Sequence, residues 1–262
     1  MLISSKDNEL IKHVKKLKDK KYRDENNEFL IEGIKMISEA IQEKANIKQI
    51  LICDDCESNC QIPNDLMYEI AKFNMVRVSQ KVFKSITDLT TPQGILAIVE
   101  KNDMSSIDYK QNFFLILDDI QDPGNIGTIL RTADSINMKQ IIVSSKTADV
   151  YNPKVVRSTM GAIFRVKVIV KEDLEKTVKE LKKHKIKVLA TDLKTDESIY
   201  DINYNKTAVI IGNESKGVSE KLLNISDGRI KIPMTGKTES LNAAVASSII
   251  MYEKLRQDLY KK

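Results

Sequence analysis

The sequence predicts an α/β protein with two domains, a small N-terminal α/β domain followed by a domain built on a mainly parallel sheet. The chain has 262 residues, which is too long for one small module. Strand-like apolar runs alternate with helical spacing along the chain, as in α/β proteins. A polar segment, 101–111 (KNDMSSIDYKQ), separates two such regions. We therefore predict domains at residues 1–105 and 106–262.

The N-terminal half has the pattern of a compact α/β domain. Apolar side chains in Asp7–Leu17 recur every three or four residues, as on one face of an amphipathic helix. Short apolar runs predict strands, and the turn TTPQ precedes the last of them. The predicted strands are Phe29–Gly33 (entering a helix), Lys48–Cys53, Met75–Ser79 and Gly94–Val99, and a further predicted helix is Pro63–Lys72.

The C-terminal half repeats strand, loop and helix. Phe113–Asp118 (FFLILD) is a continuous apolar run of buried-strand length. Strands that alternate with helices favour a parallel sheet covered on both faces, and such sheets bind ligands beyond the carboxyl ends of their strands. The other predicted strands are Gln140–Ser144, Arg165–Val170, Ile186–Ala190, Ala208–Ile211 and Arg229–Ile232, and the predicted helices are Ile126–Ile136, Lys154–Gly161, Asp173–His184, Val218–Leu223 and Leu241–Leu259.

Charge and hydropathy restrict the class of protein. A net charge of +5 suits a polyanionic partner without requiring one. The N-terminus lacks an apolar core of signal-peptide length, and no segment approaches the roughly 18 apolar residues of a membrane span. We expect a cytoplasmic protein that does not enter a membrane.

Cysteine and histidine usage argues against metal chemistry. Cys53, Cys56 and Cys60 lie close together, whereas the two histidines, His13 and His184, are distant in sequence. A structural zinc site takes four ligands, so we predict no metal site and expect reduced thiols. The scarcity of histidine also disfavours a hydrolase triad, and neither GxxxxGK[ST] nor a strand-linked GxGxxG is present.

The loop after the first C-terminal strand contains DPGNIGTILR. The apolar spacing becomes helical after its turn residues, so we predict that Asn125 caps the helix. Arg131 would then lie within about two turns of the cap, where the helix dipole favours an anion. Its position favours a functional role.

Two later loops share this character. Gly212–Gly217 (GNESKG) follows an apolar strand, and its last glycine allows a tight turn into the next helix. The third loop lies within 230–250 (IKIPMTGKTESLNAAVASSII), where Ser240 is a predicted N-cap. The helix that follows is rich in small residues, which predicts a tight crossing or a neighbouring ligand.

Together the three loops resemble the motifs of the SpoU/TrmH-type RNA ribose methyltransferases, a knotted family of the SPOUT superfamily. The pattern N-x-G-x-x-x-R-x-A matches 125–133, G-x-E-x-x-G matches 212–217, and I-P-M…S-L-N matches 232–234 with 240–242. The N-terminal segment 3–33 is similar to the L30e-like substrate-binding domain that precedes the catalytic domain in ribosomal-RNA members.

The resemblance implies fold, reaction and partners. It implies a C-terminal trefoil knot, S-adenosyl-L-methionine as methyl donor without a metal, and a homodimer formed through the C-terminal domain. The expected reaction is methylation of a ribose 2′-hydroxyl in RNA, with 23S ribosomal RNA as the expected substrate. It assigns cofactor contacts to Gly212, Ile232, Leu241, Thr191 and Met234.

The same resemblance assigns roles in the reaction. Arg131 is expected to handle the hydroxyl or its neighbouring phosphate, and a phosphate clamp is physically easier than proton abstraction because arginine stays protonated. Asn125 is expected to position the ribose or orient Arg131, and Glu214 to pair with either residue. Helix caps, a turn residue and a surface ion pair are the structural alternatives. The predicted catalytic residues are Arg131, Asn125, Glu214, Ser240 and Asn242.

Further basic residues are candidates for RNA contact. The first helix carries a lysine-rich face that could follow phosphates, although such faces are often simply solvated. The predicted RNA-binding residues are Lys12, Lys15, Lys16, Arg23 and Arg157.

Three other functions stay open. A non-catalytic RNA-binding ribosome-assembly factor would be expected to have lost Arg131, Asn125 or the 240–242 group, and all are present. A tRNA 2′-O-methyltransferase of the same fold is disfavoured by the separate N-terminal domain. Antibiotic-resistance methylation of ribosomal RNA shares the chemistry.

Overall fold

The computed structural model describes residues 2–54, 62–102 and 106–260. The chain divides into two compact units, one formed by Met1–Asn102 with Tyr151–Phe164 and the other by Asp103–Val150 with Arg165–Lys262. Tyr151–Phe164 therefore packs with the first unit, although its sequence position lies in the second half.

The secondary structure of the described residues alternates as predicted. The strands are β1 (Leu2–Ile3), β2 (Glu28–Glu32), β3 (Ile47–Cys53), β4 (Met75–Val78), β5 (Ile95–Glu100), β6 (Phe113–Leu117), β7 (Gln140–Ser144), β8 (Lys167–Lys171), β9 (Lys187–Thr191), β10 (Thr207–Ile211) and β11 (Gly228–Ile230). The helices are α1 (Glu9–Lys16), α2 (Lys20–Asn26), α3 (Ile34–Gln42), α4 (Asn64–Ile70), α5 (Gln80–Phe83), α6 (Pro123–Ser135), α7 (Pro153–Ser158), α8 (Leu174–Lys183), α9 (Glu220–Ile225) and α10 (Ala243–Leu259).

The first unit is built on a mixed five-stranded sheet in the order β1-β4-β3-β5-β2. β1, β4 and β3 are parallel, and β5 is antiparallel to both of its neighbours. The apolar face of α1 packs into this core through Ile11 and Val14. Sequence analysis missed β1, α2 and α5, because β1 has only two residues and α2 (KKYRDEN) is polar on nearly every side.

Arg23 corrects one predicted RNA contact. Its side chain is only 2 % exposed, and its Nη1 donates to the carbonyl oxygens of Leu17 (2.8 Å) and Lys18 (2.7 Å). These carbonyls lie where α1 ends, so the guanidinium satisfies acceptors that the helix leaves open. Arg23 is a structural residue in this fold and is not displayed to a phosphate.

The cysteine prediction is also corrected in part. Cys53 at the end of β3 is disulfide-bonded, so the expectation of a reduced thiol is wrong for this residue. Cys56 and Cys60 lie outside the described residues.

The second unit contains a six-stranded, wholly parallel sheet in the order β11-β9-β10-β6-β7-β8. Every residue of β6, β7 and β10 is buried, which explains the continuous apolar sequence of β6 and the mostly apolar sequences of β7 and β10. The predicted parallel α/β architecture is confirmed. The differences are at element ends: β8 and β9 start later than predicted, β11 ends at Ile230, and α9 begins at Glu220.

The connection between β9 and β10, residues 192–206, lies against the chain that follows β11. The Ile199 N–H donates to the Lys231 carbonyl oxygen at 2.9 Å. Further along, Gln257 Nε2 on α10 donates to the Ile202 carbonyl oxygen at 2.7 Å. The connection is thus held to the C-terminal segment at two places. The trefoil threading that the resemblance implies stays a prediction.

Within the described ranges, no helix is both long enough and apolar enough to cross a membrane.

Replacing Arg23 by methionine should destabilise the first unit. The change keeps the aliphatic bulk but leaves one buried and one part-buried carbonyl acceptor without their donor, so we expect the free energy of unfolding in urea to fall by about 2–4 kcal/mol. Lys21→Met on the exposed side of the same helix is the control, with an expected change within about 0.5 kcal/mol. Wild-type stability with weakened RNA binding would instead indicate a phosphate contact.

Candidate functional site

The three motif loops meet at one edge of the parallel sheet. β10 pairs with β6 through Ile211 and Leu117, and β11 pairs with β9 through Ile230 and Thr191. The four strands are neighbours and end in the same direction, so the loops after them lie together. This edge is where a parallel α/β sheet usually binds its ligand.

The first loop enters α6 through a different cap from the one predicted. Asp122, not Asn125, is the N-cap, and its Oδ1 accepts the Asn125 N–H at 2.9 Å. Asp-Pro suits this position because proline at the first helical residue lacks the N–H that would otherwise need a partner. Arg131 therefore lies nine residues beyond the cap, in the later half of a 13-residue helix. The expected conflict with the helix dipole does not exist.

The third loop enters α10 through Asn242. The Asn242 Oδ1 accepts the N–H groups of Ala244 (2.9 Å) and Val245 (3.3 Å). The predicted cap, Ser240, lies two residues earlier on an exposed part of the loop. The prediction of Ser240 as N-cap is therefore wrong.

A chain of side-chain hydrogen bonds joins all three loops. Asn125 Nδ2 donates to Glu214 Oε1 at 2.9 Å, and Asn242 Nδ2 donates to Asn125 Oδ1 at 2.9 Å. The orientation of each amide follows from its neighbours, because Asn242 Oδ1 already accepts from the helix and the carboxylate can only accept. We call Glu214, Asn125 and Asn242 the amide relay.

Glu214 is the acceptor at the end of the relay. Its two oxygens also accept the main-chain N–H groups of Gln121 and Asp122, each at 3.2 Å. Burial alone would raise the pKa of Glu214, but the hydrogen bonds from Asn125 and the main chain outweigh it and lower the pKa. Of the two partners considered from the sequence, Glu214 pairs with Asn125. As a stabilised carboxylate, it is a poor proton acceptor.

Arg131 lies on the exposed side of α6. Its guanidinium makes no hydrogen bond or ion pair with any residue that the structure describes. Asn125 is 7 % exposed and its amide is engaged in the relay, so Asn125 does not orient Arg131. The arginine is therefore available to an anion from outside its own chain.

α6 and α10 run side by side in the same direction. Thr132 Oγ1 lies 3.1 Å from Ser248 Oγ, and Ser135 Oγ lies 3.2 Å from the Tyr252 hydroxyl. Together with the Asn125–Asn242 hydrogen bond, these make three polar contacts between the two helices. The small residues of α10 allow the close crossing that the sequence predicted. The three polar contacts hold α6 against α10 and so fix the position of Arg131.

The predicted cofactor residues belong to the loops at this edge. Thr191 ends β9, and its Oγ1 donates to the Ile210 carbonyl oxygen at 3.0 Å. Ile232, Met234 and Leu241 are half-buried in the third loop. The main-chain groups of residues 232–241 form no hydrogen bonds with any other described residue. Free main-chain groups beside half-buried apolar side chains fit S-adenosylmethionine, which has both polar and apolar parts.

Gly212 has a structural requirement of its own. A Cβ at this position would lie 2.0 Å from the Gly217 carbonyl carbon and from the Val218 nitrogen. The loop closes through reciprocal main-chain hydrogen bonds between Asn213 and Gly217, at 3.1 and 2.9 Å. Glycine is therefore needed at 212 for the loop to close on itself, apart from any cofactor contact.

Sequence reasoning missed a second support for this edge. Asp119 follows β6 with a φ of +60°, and its carbonyl oxygen accepts Asn213 Nδ2 at 2.8 Å. Its Oδ1 accepts the Ser144 hydroxyl at 2.6 Å. Asp119 thus connects the ends of β6 and β7 to the second loop. Its only signal in the sequence was an acidic pair at the end of an apolar run.

The predicted RNA-binding residues lie in the first unit. Lys12 forms an ion pair with Glu9 (2.9 Å), Lys15 is half-buried, and Lys16 Nζ lies 5.5 Å from the centre of the Tyr22 ring. No contact to RNA follows from these positions alone.

Arg157 lies on α7, which packs against β2 of the first unit. It lines a water-sized space with Glu32 and Asp88. Burial raises the pKa of Glu32, while a hydrogen bond from Thr87 and the charge of Arg157 oppose this effect. Arg157 therefore belongs to the first unit, whereas the three motif loops belong to the second.

No group of three or more His, Cys, Asp or Glu side chains in the described part of the chain could hold a metal ion.

Two family models match the chain. The SpoU rRNA methylase family matches residues 112–252, which contain all three motif loops. The MRM3-like substrate binding domain matches residues 8–97 in the first unit.

Individual relatives agree with these matches. The 23S rRNA (guanosine(2553)-2′-O)-methyltransferase RlmP of Bacillus subtilis is 36% identical, covering 95% of this chain and 97% of its own. The AdoMet-bound rRNA methyltransferase of Sinorhizobium meliloti is 27% identical with a TM-score of 0.83, covering 99% of this chain and 98% of its own. The SpoU methyltransferase AviRb of Streptomyces viridochromogenes in complex with AdoMet is 26% identical with a TM-score of 0.85, covering 96% and 98%.

Replacing Glu214 by glutamine should make the protein less sensitive to acid. A lowered folded-state pKa gives stability that is present above the ordinary value of 4.5 and is lost as pH falls through the lower value. As the pH falls from neutral to below the pKa of Glu214, the free energy of unfolding in urea should therefore decrease more for wild type than for E214Q. E239Q, on the exposed part of the third loop, should retain the wild-type slope. Parallel curves for wild type and E214Q would refute the stabilising role of the carboxylate.

Proposed function

The chain belongs to the SpoU rRNA methylase family and is an S-adenosylmethionine-dependent RNA ribose 2′-O-methyltransferase, and we propose that its substrate is 23S ribosomal RNA. The observation that supports the site assignment best is the amide relay, which ties the three motif loops together. The substrate proposal is supported by the similarity to the Bacillus subtilis enzyme, which extends over nearly the whole of both chains.

We assign positioning to the relay and charge stabilisation to Arg131. Glu214 and Asn125 fix the start of α6, and Asn242 fixes the start of α10, so the two helices present their exposed faces at a constant separation. Placement of the reacting groups can supply a large part of a rate enhancement. Ser240, exposed in the third loop, is assigned to the polar wall that faces the ribose.

Arg131 would bind the phosphate next to the target ribose. A guanidinium donates two parallel hydrogen bonds to a phosphate and stabilises negative charge that develops on the 2′-oxygen as its proton leaves. Bound S-adenosylmethionine supplies the electrophilic methyl group. Gly212, Ile232, Leu241, Thr191 and Met234 would hold it, through main-chain groups of the third loop and apolar side chains.

We assign RNA binding outside the reaction site to residues 1–105 and the reaction to residues 106–262. The match of residues 8–97 to a substrate binding domain supports this division. Lys12, Lys15 and Lys16 are the proposed phosphate contacts of the first unit, and Arg157 is a further candidate from the same unit. We also propose a cytoplasmic location, which the similarity to the Bacillus subtilis enzyme supports.

A homodimer through the C-terminal domain is supported by an apolar stripe on α10. Val245, Tyr252 and Leu259 are spaced seven residues apart and are 47 %, 51 % and 68 % exposed. Seven-residue spacing places them along one side of the helix, as at a helix-packing surface. A second copy of the chain would cover this stripe.

Arg131→Ala should abolish most methyl transfer without affecting the cofactor. The assay measures labelled methyl transferred from S-adenosylmethionine to ribose in unmodified 23S ribosomal RNA and tRNA. Removing a charge-stabilising group typically costs about 10²–10³-fold in kcat. Arg131→Lys should retain only part of the wild-type kcat, because lysine lacks the planar guanidinium that can donate two parallel hydrogen bonds to a phosphate. Calorimetry should show unchanged S-adenosylmethionine affinity.

The control is Arg77→Ala, an exposed arginine paired with Asp54 in the first unit, which should keep wild-type activity. Label in tRNA alone would reject the 23S substrate. RNA binding without label in any RNA from wild type would make the protein an assembly factor.

Charges on the α10 stripe should produce monomers. Val245→Glu with Tyr252→Glu places two carboxylates on the apolar surface, so sedimentation at micromolar concentration should shift from dimer to monomer. Tyr200→Glu, at another exposed aromatic of the same unit, should leave the dimer intact. A wild-type monomer under these conditions would reject the interface.

A further inference from the structure

Lysines line the amino edge of the parallel sheet, opposite the motif loops. Lys187 is the first residue of β9, Lys206 directly precedes β10, and Lys110 lies three residues before β6. Lys139 directly precedes β7, and Lys167 is the first residue of β8. Four strands of the six thus begin with a lysine at or directly before their first residue, and a fifth lysine lies three residues before β6. We call these five residues the lysine row.

Strand pairing places Lys187 beside Lys206 and Lys139 beside Lys167, and Lys110 precedes β6 between these two pairs. The Lys187 N–H donates to the Lys206 carbonyl oxygen, and the Lys167 N–H donates to that of Lys139. Neighbouring strands are about 4.8 Å apart, so the row extends over about 19 Å along the sheet edge. Its order is Lys187, Lys206, Lys110, Lys139 and Lys167.

The charge of the row is not neutralised within the chain. Lys110, Lys139, Lys187 and Lys206 are exposed, and none of the five lysines forms an ion pair with a described residue. Of the acidic groups near the row, Asp227 pairs with Lys182 at 2.8 Å, Glu180 accepts the Tyr109 hydroxyl at 3.1 Å, and Asp108 Oδ1 accepts the Lys110 main-chain N–H at 3.0 Å. The exposed Asp108 carboxylate offsets one of the five positive charges. The row is therefore a concentrated positive surface.

The backbone geometry of the turns before β9 and β10 does not favour lysine. Lys206 has a φ of +50°, and the neighbouring Lys185, which is also exposed, has a φ of +60°. Glycine or asparagine adopts this conformation at a lower cost than lysine. Turn geometry therefore does not require a lysine at either position.

We propose that the lysine row binds the sugar–phosphate backbone of ribosomal RNA beyond the nucleotide that is methylated. This inference rests on the proposed function, since a ribosomal RNA substrate makes RNA the polyanion that the protein meets. Strands of five residues separate the row from the motif loops by about 17 Å. The RNA must therefore extend past the reaction site to touch both edges.

The position of the row also predicts which substrates depend on it. A short oligonucleotide that contains only the target nucleotide and its immediate neighbours cannot span both edges of the sheet. A long RNA can. Phosphate contacts on the row should therefore lower KM for long substrates and leave kcat unchanged, because the row does not touch the reacting atoms.

The test compares two triple variants of the full chain. Lys110→Gln/Lys187→Gln/Lys206→Gln removes three charges from neighbouring strands, and Lys176→Gln/Lys179→Gln/Lys221→Gln removes three from α8 and α9 of the same unit. Binding of a transcribed 23S ribosomal RNA is measured against salt concentration, and methyl transfer is measured on this RNA. Circular dichroism and S-adenosylmethionine affinity verify that both variants are folded.

For the row variant, we expect the slope of log K against log salt to become shallower by about 2–3, since each phosphate contact contributes about 0.7–0.9. KM for the long RNA should rise on the order of tenfold at low salt, with kcat unchanged. The control variant should match wild type in both measurements.

Unchanged salt slope and KM in the row variant would overturn the proposal. Equal effects in both triple variants would also overturn it, because net charge and not the row would then be responsible. Loss of binding to phosphatidylglycerol vesicles with RNA binding retained would assign the row to a membrane surface instead. Failure of wild type to methylate the RNA would reject the proposed function, while the binding measurement would still test the row.

Discussion

The site depends on one constraint: the amide relay holds three loops that are far apart in sequence to a single geometry. Asn125 can donate to Glu214 and accept from Asn242 only in one amide orientation, and Asn242 is itself fixed because its oxygen caps α10. The relay is part-buried, and it specifies structure because leaving the buried amide of Asn125 unpaired is costly. The starts of α6 and α10 are therefore fixed together, and the polar contacts between the two helices extend this alignment along their length.

In the proposed function, this arrangement divides the work between residues that build the site and a residue that would face the substrate. Glu214 and Asn125 use their hydrogen-bonding groups within the protein, so they act through position. Arg131 has no hydrogen-bond or ion-pair partner among the described residues and is exposed, so its guanidinium is available for the phosphate contact that we propose. The lowered pKa of Glu214 belongs to the same division, because a carboxylate stabilised by several donors supports a loop better than it accepts a proton.

Several sequence-based interpretations failed where a local signal had more than one structural solution. Asn125 and Ser240 both resemble helix caps, yet Asp122 and Asn242 perform that function. Cap preference ranks residue types, but it does not decide which of several neighbouring candidates begins the helix. Arg23 failed for a related reason: α2 is nearly all polar, and only tertiary packing shows that its arginine closes the end of α1.

The sequence by itself determined the alternating α/β order, the apolar strand β6 and the mostly apolar strands β7 and β10, and the three motif loops at strand ends. These features follow from local composition and periodicity, which the chain carries without knowledge of its partners in space. The tertiary structure decided which side chains meet. The order β11-β9-β10-β6-β7-β8 brings residues about ninety to one hundred and twenty positions apart into hydrogen-bonding contact, and it also aligns the lysine row on the opposite edge. Strand order depends on long-range packing, and no local pattern in the sequence encodes it.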